Sequence, residues 1–93
     1  MNVKLVRREE RLLEVLVEDA DLSLLQVLQY ELLRDGAVEF AAYRRPHPLE
    51  RKYFLAVRTK EGEPREALLR AIERARETVD SLGGEVARSL GVQ

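Results

Sequence analysis

The sequence predicts a two-layer α+β domain of order β-β-α-β-β-α, with an antiparallel sheet and two helices on one face. Three observations predict it. Apolar residues alternate with period two in four short segments, they recur at helical spacing in two longer ones, and the connections between neighbouring strand segments are too short for parallel crossovers. At 93 residues, 1–93 is one domain, without repeats, linkers or low-complexity stretches.

The first segment, "NVKLVRREERLLEVLVED", reads as two strands. Val3 and Leu5 alternate with polar neighbours, and Leu13, Val15 and Val17 alternate with Glu14, Leu16 and Glu18. The charged run Arg8–Arg11 between them is the expected hairpin tip. "DLSLLQVLQYELLRDG" reads as a helix, with Asp21 as N-cap and Gly36 as its stop. "AVEFAAYRRP" is a third strand, with Val38, Phe40 and Ala42 expected on one face, and "RKYFLAVRTK" a fourth, with Tyr53, Leu55 and Val57 on one face and Phe54 and Ala56 on the other. Between them, "RRPHPLE" must be a connection, because Pro46 and Pro48 cannot sit inside a paired strand. "KEGEPREALLRAIERARETVDSLGGEVARSL" is a long helix with Pro64 in its first turn. Leu68, Ile72, Ala75, Val79, Leu82 and Val86 step along it as a heptad-like seam. Glu66 lies four residues before Arg70 and supports the helix. Gly83-Gly84 predicts a kink, fraying or a stop.

Both helices carry more apolar surface than a sheet needs. The leucines of the first spread over about half the helical wheel at about 100° per residue, with Val27 and Tyr30 outside that arc, whereas a helix on a sheet needs a stripe of about 100°. A strand of about eight residues spans about 26 Å, and a helix of about 20 to 26 residues spans about 30–39 Å. The last helix therefore overhangs the sheet with its seam intact. These features predict a partner-binding surface built from Leu24, Val27, Leu28 and Leu32 of the first helix and Ala75, Val79, Leu82 and Val86 of the last.

Composition excludes several function classes. Net charge is −1 at pH 7, which argues against a protein that lives by gripping phosphates. There is no cysteine, so disulfides, thiolate metal sites and thiol chemistry are out. The longest apolar run is far short of a membrane span, and "MNVKLVRREE" lacks the apolar core of a signal peptide, so a cytoplasmic location is expected. Asn and Gln together number four, against abundant Arg and Glu, a bias that fits a thermophile.

The stretch "RRPHPLERKYF" gathers the rare residues, with the single histidine, His47, between two prolines and four basic residues around it. Catalysis by His47 would need a positioned carboxylate and nucleophile, and a metal would need co-ligands at suitable spacing; the sequence supplies neither. No stacking array or recognition motif accompanies the arginines. No glycine-rich phosphate loop is present. We therefore expect no catalytic, cofactor or metal residue, and a structural hydrogen bond from His47 that holds the turn.

The residues Val38, Phe40, Ala41 and Tyr43, followed by the corner Pro46-His47-Pro48-Leu49, then Arg58–Gly62 and the helix start Glu66–Ile72, carry a family resemblance. Over residues 2–82 the chain resembles subunit L of archaeal DNA-directed RNA polymerase, counterpart of the eukaryotic eleventh polymerase subunit and of the bacterial alpha subunit's N-terminal dimerisation region. One departure lies at the first helix: Leu22 and Gln26 stand where the family usually has histidine and asparagine. The resemblance implies a non-catalytic subunit that pairs with the D subunit of the RNA polymerase through its helices. This heterodimer would form the platform for the two large catalytic subunits, together with small subunits N and P, and the catalytic magnesium would sit in the large subunits. A stand-alone homodimeric binding or regulatory module of the same fold is the alternative. Under either reading the isolated chain should show no salt-dependent binding to DNA or RNA; a titration across ionic strength checks this.

Overall fold

The computed structural model describes residues 2–90, with side chains described through residue 77. The strands are β1 (Asn2–Glu9), β2 (Leu12–Glu18), β3 (Val38–Arg44) and β4 (Lys52–Thr59); the helices are α1 (Leu22–Arg34) and α2 (Pro64–Leu90). All strand pairs are antiparallel, and the four strands form one sheet in the order β1-β2-β4-β3. This is the expected α+β architecture.

The β1–β2 hairpin closes on Glu10-Arg11, with Glu9 opposite Leu12 and Arg11 in the left-handed region at φ 59°. The Arg11 carbonyl accepts from the Thr59 N–H at 3.0 Å, which ties the hairpin tip to the end of β4. Asp21 caps α1 as predicted, its carboxylate accepting from the Leu24 N–H at 3.1 Å. The C-terminal stop differs from expectation. It is Asp35, not Gly36, that leaves the helix in an extended conformation, and its carboxylate accepts from the Ala37 N–H at 3.0 Å. A side-chain acceptor at this point makes a left-handed glycine unnecessary. The glycine that does need its freedom is Gly62, at φ 74°, whose carbonyl accepts from the Thr59 hydroxyl at 2.9 Å.

One face of the sheet carries the core. Leu13, Val15 and Val17 of β2 lie opposite Val57, Leu55 and Tyr53 of β4, and α1 adds Leu25, Leu28 and Leu32. α2 adds Ala67, Leu68, Ala71 and Ala75. The small alanines let this helix approach its neighbours closely. β3 contributes Val38, Ala41 and Tyr43, not the predicted Val38, Phe40 and Ala42. The cause is a register shift: Val38 pairs with Thr59 and Phe40 with Arg58, so Glu39 is an extra residue. A bulge of this kind reverses the in–out phase, which turns Phe40 outward and Ala41 inward.

Across the outer face, Glu18 bridges Lys4 of β1 at 3.0 Å and Lys52 of β4 at 3.5 Å. The bond from Lys4, with further help from Lys52, holds its carboxyl below the usual glutamate range. α2 runs from Pro64 to Leu90, so of the outcomes expected at Gly83-Gly84 a stop does not occur. A glycine pair costs a helix about 2 kcal/mol relative to alanine, which weakens a helix without forbidding it.

The two helices are joined by charge. Arg70 of α2 donates to the Asp35 carboxylate at 2.8 Å, and Arg74 lies 3.9 Å from the same group. Arg70 thus reaches a different helix, beyond its predicted neighbour Glu66. Its bond to Asp35, the Ala37 N–H and the nearby Arg74 together depress the Asp35 carboxyl, against the opposing effect of burial.

This packing can be tested at two residues. Leu55 is fully buried at the centre of the sheet, so Leu55→Ala should cost about 2–5 kcal/mol, read as a lowered urea midpoint. Because the Asp35 carboxyl is depressed in the folded state, its contribution is complete above about pH 4, near the unfolded value, and is lost as pH falls through the lower folded value. Asp35→Asn should therefore destabilise the chain at neutral pH, and the gap to the wild type should narrow in acid; paired urea titrations from neutral to acid pH measure it.

Candidate partner interface

The strand order puts β1 at an edge, and this creates the main open surface. Val3 and Leu5 face the helical layer, opposite Val17 and Val15. Yet Leu5 is 64% exposed while Val15 beside it is 5% exposed. The helices cover the middle of the sheet and stop short of its edge; among the described residues the core contains no member of β1. The result is an apolar groove of about 340 Å³ between β1 and the start of α2. Val3 and Leu5 line it on the strand side and Leu68, Leu69 and Ile72 on the helix side, with Arg8 and Arg65 among its polar residues.

A second apolar surface lies on α1. Leu22, Tyr30 and Leu33 are exposed, and Val27 and Tyr30 line a shallow depression with Ser23 and Gln26. Arg34 holds this surface in shape. Its guanidinium lies 5.3 Å from the Tyr30 ring centroid and donates to Glu31 at 3.0 Å. Glu31 is otherwise buried, and this charge-assisted bond offsets its desolvation.

The predicted partner-binding residues divide into three groups. Leu24 and Val27 are half-buried at the margin of the core, where one side of each stays accessible. Leu28, Leu32 and Ala75 are 3%, 0% and 3% exposed and belong to the chain's own core. Their assignment to a partner is therefore corrected. The wide apolar arc of α1 serves both β3 and α2, so its central leucines are consumed internally. Val79, Leu82 and Val86 lie outside the described side chains, although the helix that carries them is continuous through residue 90. Sequence reasoning missed Val3, Leu5 and Leu69. The Leu68-Leu69 pair was the available signal for a second, wider stripe at the start of α2. For β1 there was none, because an edge strand and a central strand alternate alike.

The Pro46–Leu49 corner is a structured turn. The Leu49 N–H donates to Nδ1 of His47 at 3.2 Å, and the Glu50 N–H donates to the His47 carbonyl at 3.2 Å. Among the described residues no peptide bond is cis. Tyr43 packs edge-on against Tyr53, with ring centroids 6.2 Å apart. Among the described residues no helix is long and apolar enough to cross a membrane.

Residues 12–85 match the family described as the RNA polymerase Rpb3/Rpb11 dimerisation domain. The chain belongs to that family. It is 34% identical over 87 residues to DNA-directed RNA polymerase subunit Rpo11 of Sulfurisphaera tokodaii, covering 92% of this chain and 94% of the relative. With the Rpo11 subunit of Korarchaeum cryptofilum it shares 36% identity over 91 residues, covering 97% of this chain and 93% of that one. The fold is similar to the crystal structure of DNA-directed RNA polymerase subunit L from Thermoplasma acidophilum, with a TM-score of 0.77 at 27% identity, covering 97% of this chain and 89% of that one. The Rpb3/Rpb11 match begins at Leu12, the first residue of β2, and so takes in the whole core but not the edge strand that forms one wall of the groove.

Proposed function

We propose that the protein is a non-catalytic assembly subunit of an archaeal DNA-dependent RNA polymerase. It pairs with the polymerase's D subunit, and the heterodimer forms the platform on which the large catalytic subunits assemble beside small subunits N and P. It does this work in the cytoplasm. One observation carries the reading. A chain of the Rpb3/Rpb11 dimerisation family leaves the edge of its own core open, as an apolar groove beside a helix that continues past its last described core residue, Ala75. A partner that fills the groove and lies along α2 completes the burial of Leu5, Leu69 and Ile72. Leu24 and Val27 extend this surface along α1, and the sequence seam of Val79, Leu82 and Val86, on the continuing helix, is the proposed extension along α2. The departures at Leu22 and Gln26 place an apolar side chain and an amide at the head of α1.

The experiment is co-expression with the D subunit of the host polymerase. A 1:1 complex is expected; a chain that stays monomeric or forms only a homodimer in its presence overturns the reading in favour of a stand-alone module. Substitution refines the test. Leu5 and Leu69 are exposed in the free chain, so Leu5→Glu and Leu69→Glu should leave its far-ultraviolet circular dichroism unchanged. Each should weaken the heterodimer by roughly 30-fold or more, about 2 kcal/mol, measured by isothermal titration.

A further inference from the structure

The turn between β3 and β4 holds the most exposed large apolar side chain among the described residues: Leu49, at 87%. Exposed leucines are common, and exposure alone carries little weight. The frame around this one is what matters. The Leu49 N–H is bonded to the His47 ring, and the Glu50 N–H to the His47 carbonyl. Arg45 Nε donates to the Glu50 carbonyl at 3.0 Å. The Ala20 N–H donates to the Arg51 carbonyl at 3.3 Å, which anchors the turn to the β2–α1 connection. Pro46 and Pro48 remove further freedom on either side of His47. The chain thus holds a bare leucine at the tip of a braced turn, with the entropy of ordering the backbone already met.

The surroundings are basic. Residues 44–52 include Arg44, Arg45, Arg51 and Lys52 against a single acid, Glu50. Arg51 and Lys52 have acidic neighbours, at 3.7 Å from Asp19 and 3.5 Å from Glu18. Arg44 and Arg45 face no carboxylate among the described residues. They lie over aromatic rings instead, 4.2 Å from the Phe54 centroid and 5.6 Å from the Tyr53 centroid. Rings hold the two guanidinium planes in place and leave their charge available.

Position separates this feature from the groove. The turn joins β3, the edge strand opposite β1, to β4 at the strand ends, and none of its residues lines the groove, so a partner seated between β1 and α2 need not cover it. We infer that Leu49 is a docking knob for a second protein partner, one that offers an apolar pocket with carboxylates on its rim, and that within the proposed assembly this partner is a polymerase subunit other than the one in the groove. The inference rests on the assembly reading proposed for the chain. An aliphatic tip offers no stacking surface, which disfavours a nucleic acid as the occupant.

The test uses the assembled complex. Wild-type and Leu49→Asp chains are each co-purified with the D subunit, and the heterodimers are then mixed with the remaining polymerase subunits and sedimented. Equal heterodimer yields are expected, with at least a tenfold loss of assembly for Leu49→Asp and a smaller loss for Leu49→Ala. A photo-crosslinking residue in place of Leu49 should couple to a protein subunit that is not the heterodimer partner. Normal assembly by Leu49→Asp overturns the inference, as does crosslinking to the D subunit or to nucleic acid. If the wild-type chain forms no heterodimer, it is the assembly reading that fails, so the two failures are told apart.

Discussion

A four-stranded sheet is wider than these two helices can roof, and the rest of the molecule is arranged around that mismatch. α1 packs over β3 and β4 and α2 over β4 and β2, and Leu25, Leu32 and Ala71 share one core with Val15, Leu55 and Val57. β1 is hydrogen-bonded into the sheet through β2 yet receives no helical cover. Its inner residues, Val3 and Leu5, therefore face the right way and still meet water. Apolar surface in that position is unfavourable in a lone chain. The same surface becomes stabilising once another chain supplies the missing roof, which is how an incomplete core becomes an interface.

Charge placement supports this division of labour. The strongest polar links lie inside the chain, where they fix how its parts sit together. Asp35 receives Arg70 and Arg74 where α1 ends, which ties that end to α2. Glu18 joins β1 to β4 across β2. Glu31 and Arg34 stiffen the exposed side of α1. Exposed ion pairs contribute little each; their role here is to orient elements whose apolar faces supply the energy. A rigid platform needs such orientation, because a surface that shifts by a few ångströms cannot receive partners at a fixed register.

The two surfaces use different physics. The groove along β1 is concave, apolar and continuous with a long helix, suited to a partner that buries a large area. The turn at Leu49 presents one exposed leucine within a basic stretch, suited to a local anchor that docks into a pocket. The groove runs along edge strand β1, and the turn leads out of β3, the edge strand on the other side of the sheet.

How far the sequence alone determines this protein can be judged from particular residues. The order β-β-α-β-β-α, the cap at Asp21, the helix start at Pro64, the proline corner and the family itself were all legible, because each rests on local periodicity, turn chemistry or a contiguous motif. The need for a partner was legible too, as excess apolar surface. Which apolar residues the chain buries itself and which it leaves exposed was not. The bulge at Glu39 reversed the phase of β3, and the sharing of α1 between sheet and α2 took Leu28 and Leu32 into the core. The edge position of β1 exposed Val3 and Leu5. Each of these outcomes depends on which strand lies beside which and how wide the covering layer is. Such quantities belong to contacts between residues far apart in the chain, so the tertiary structure alone decided them.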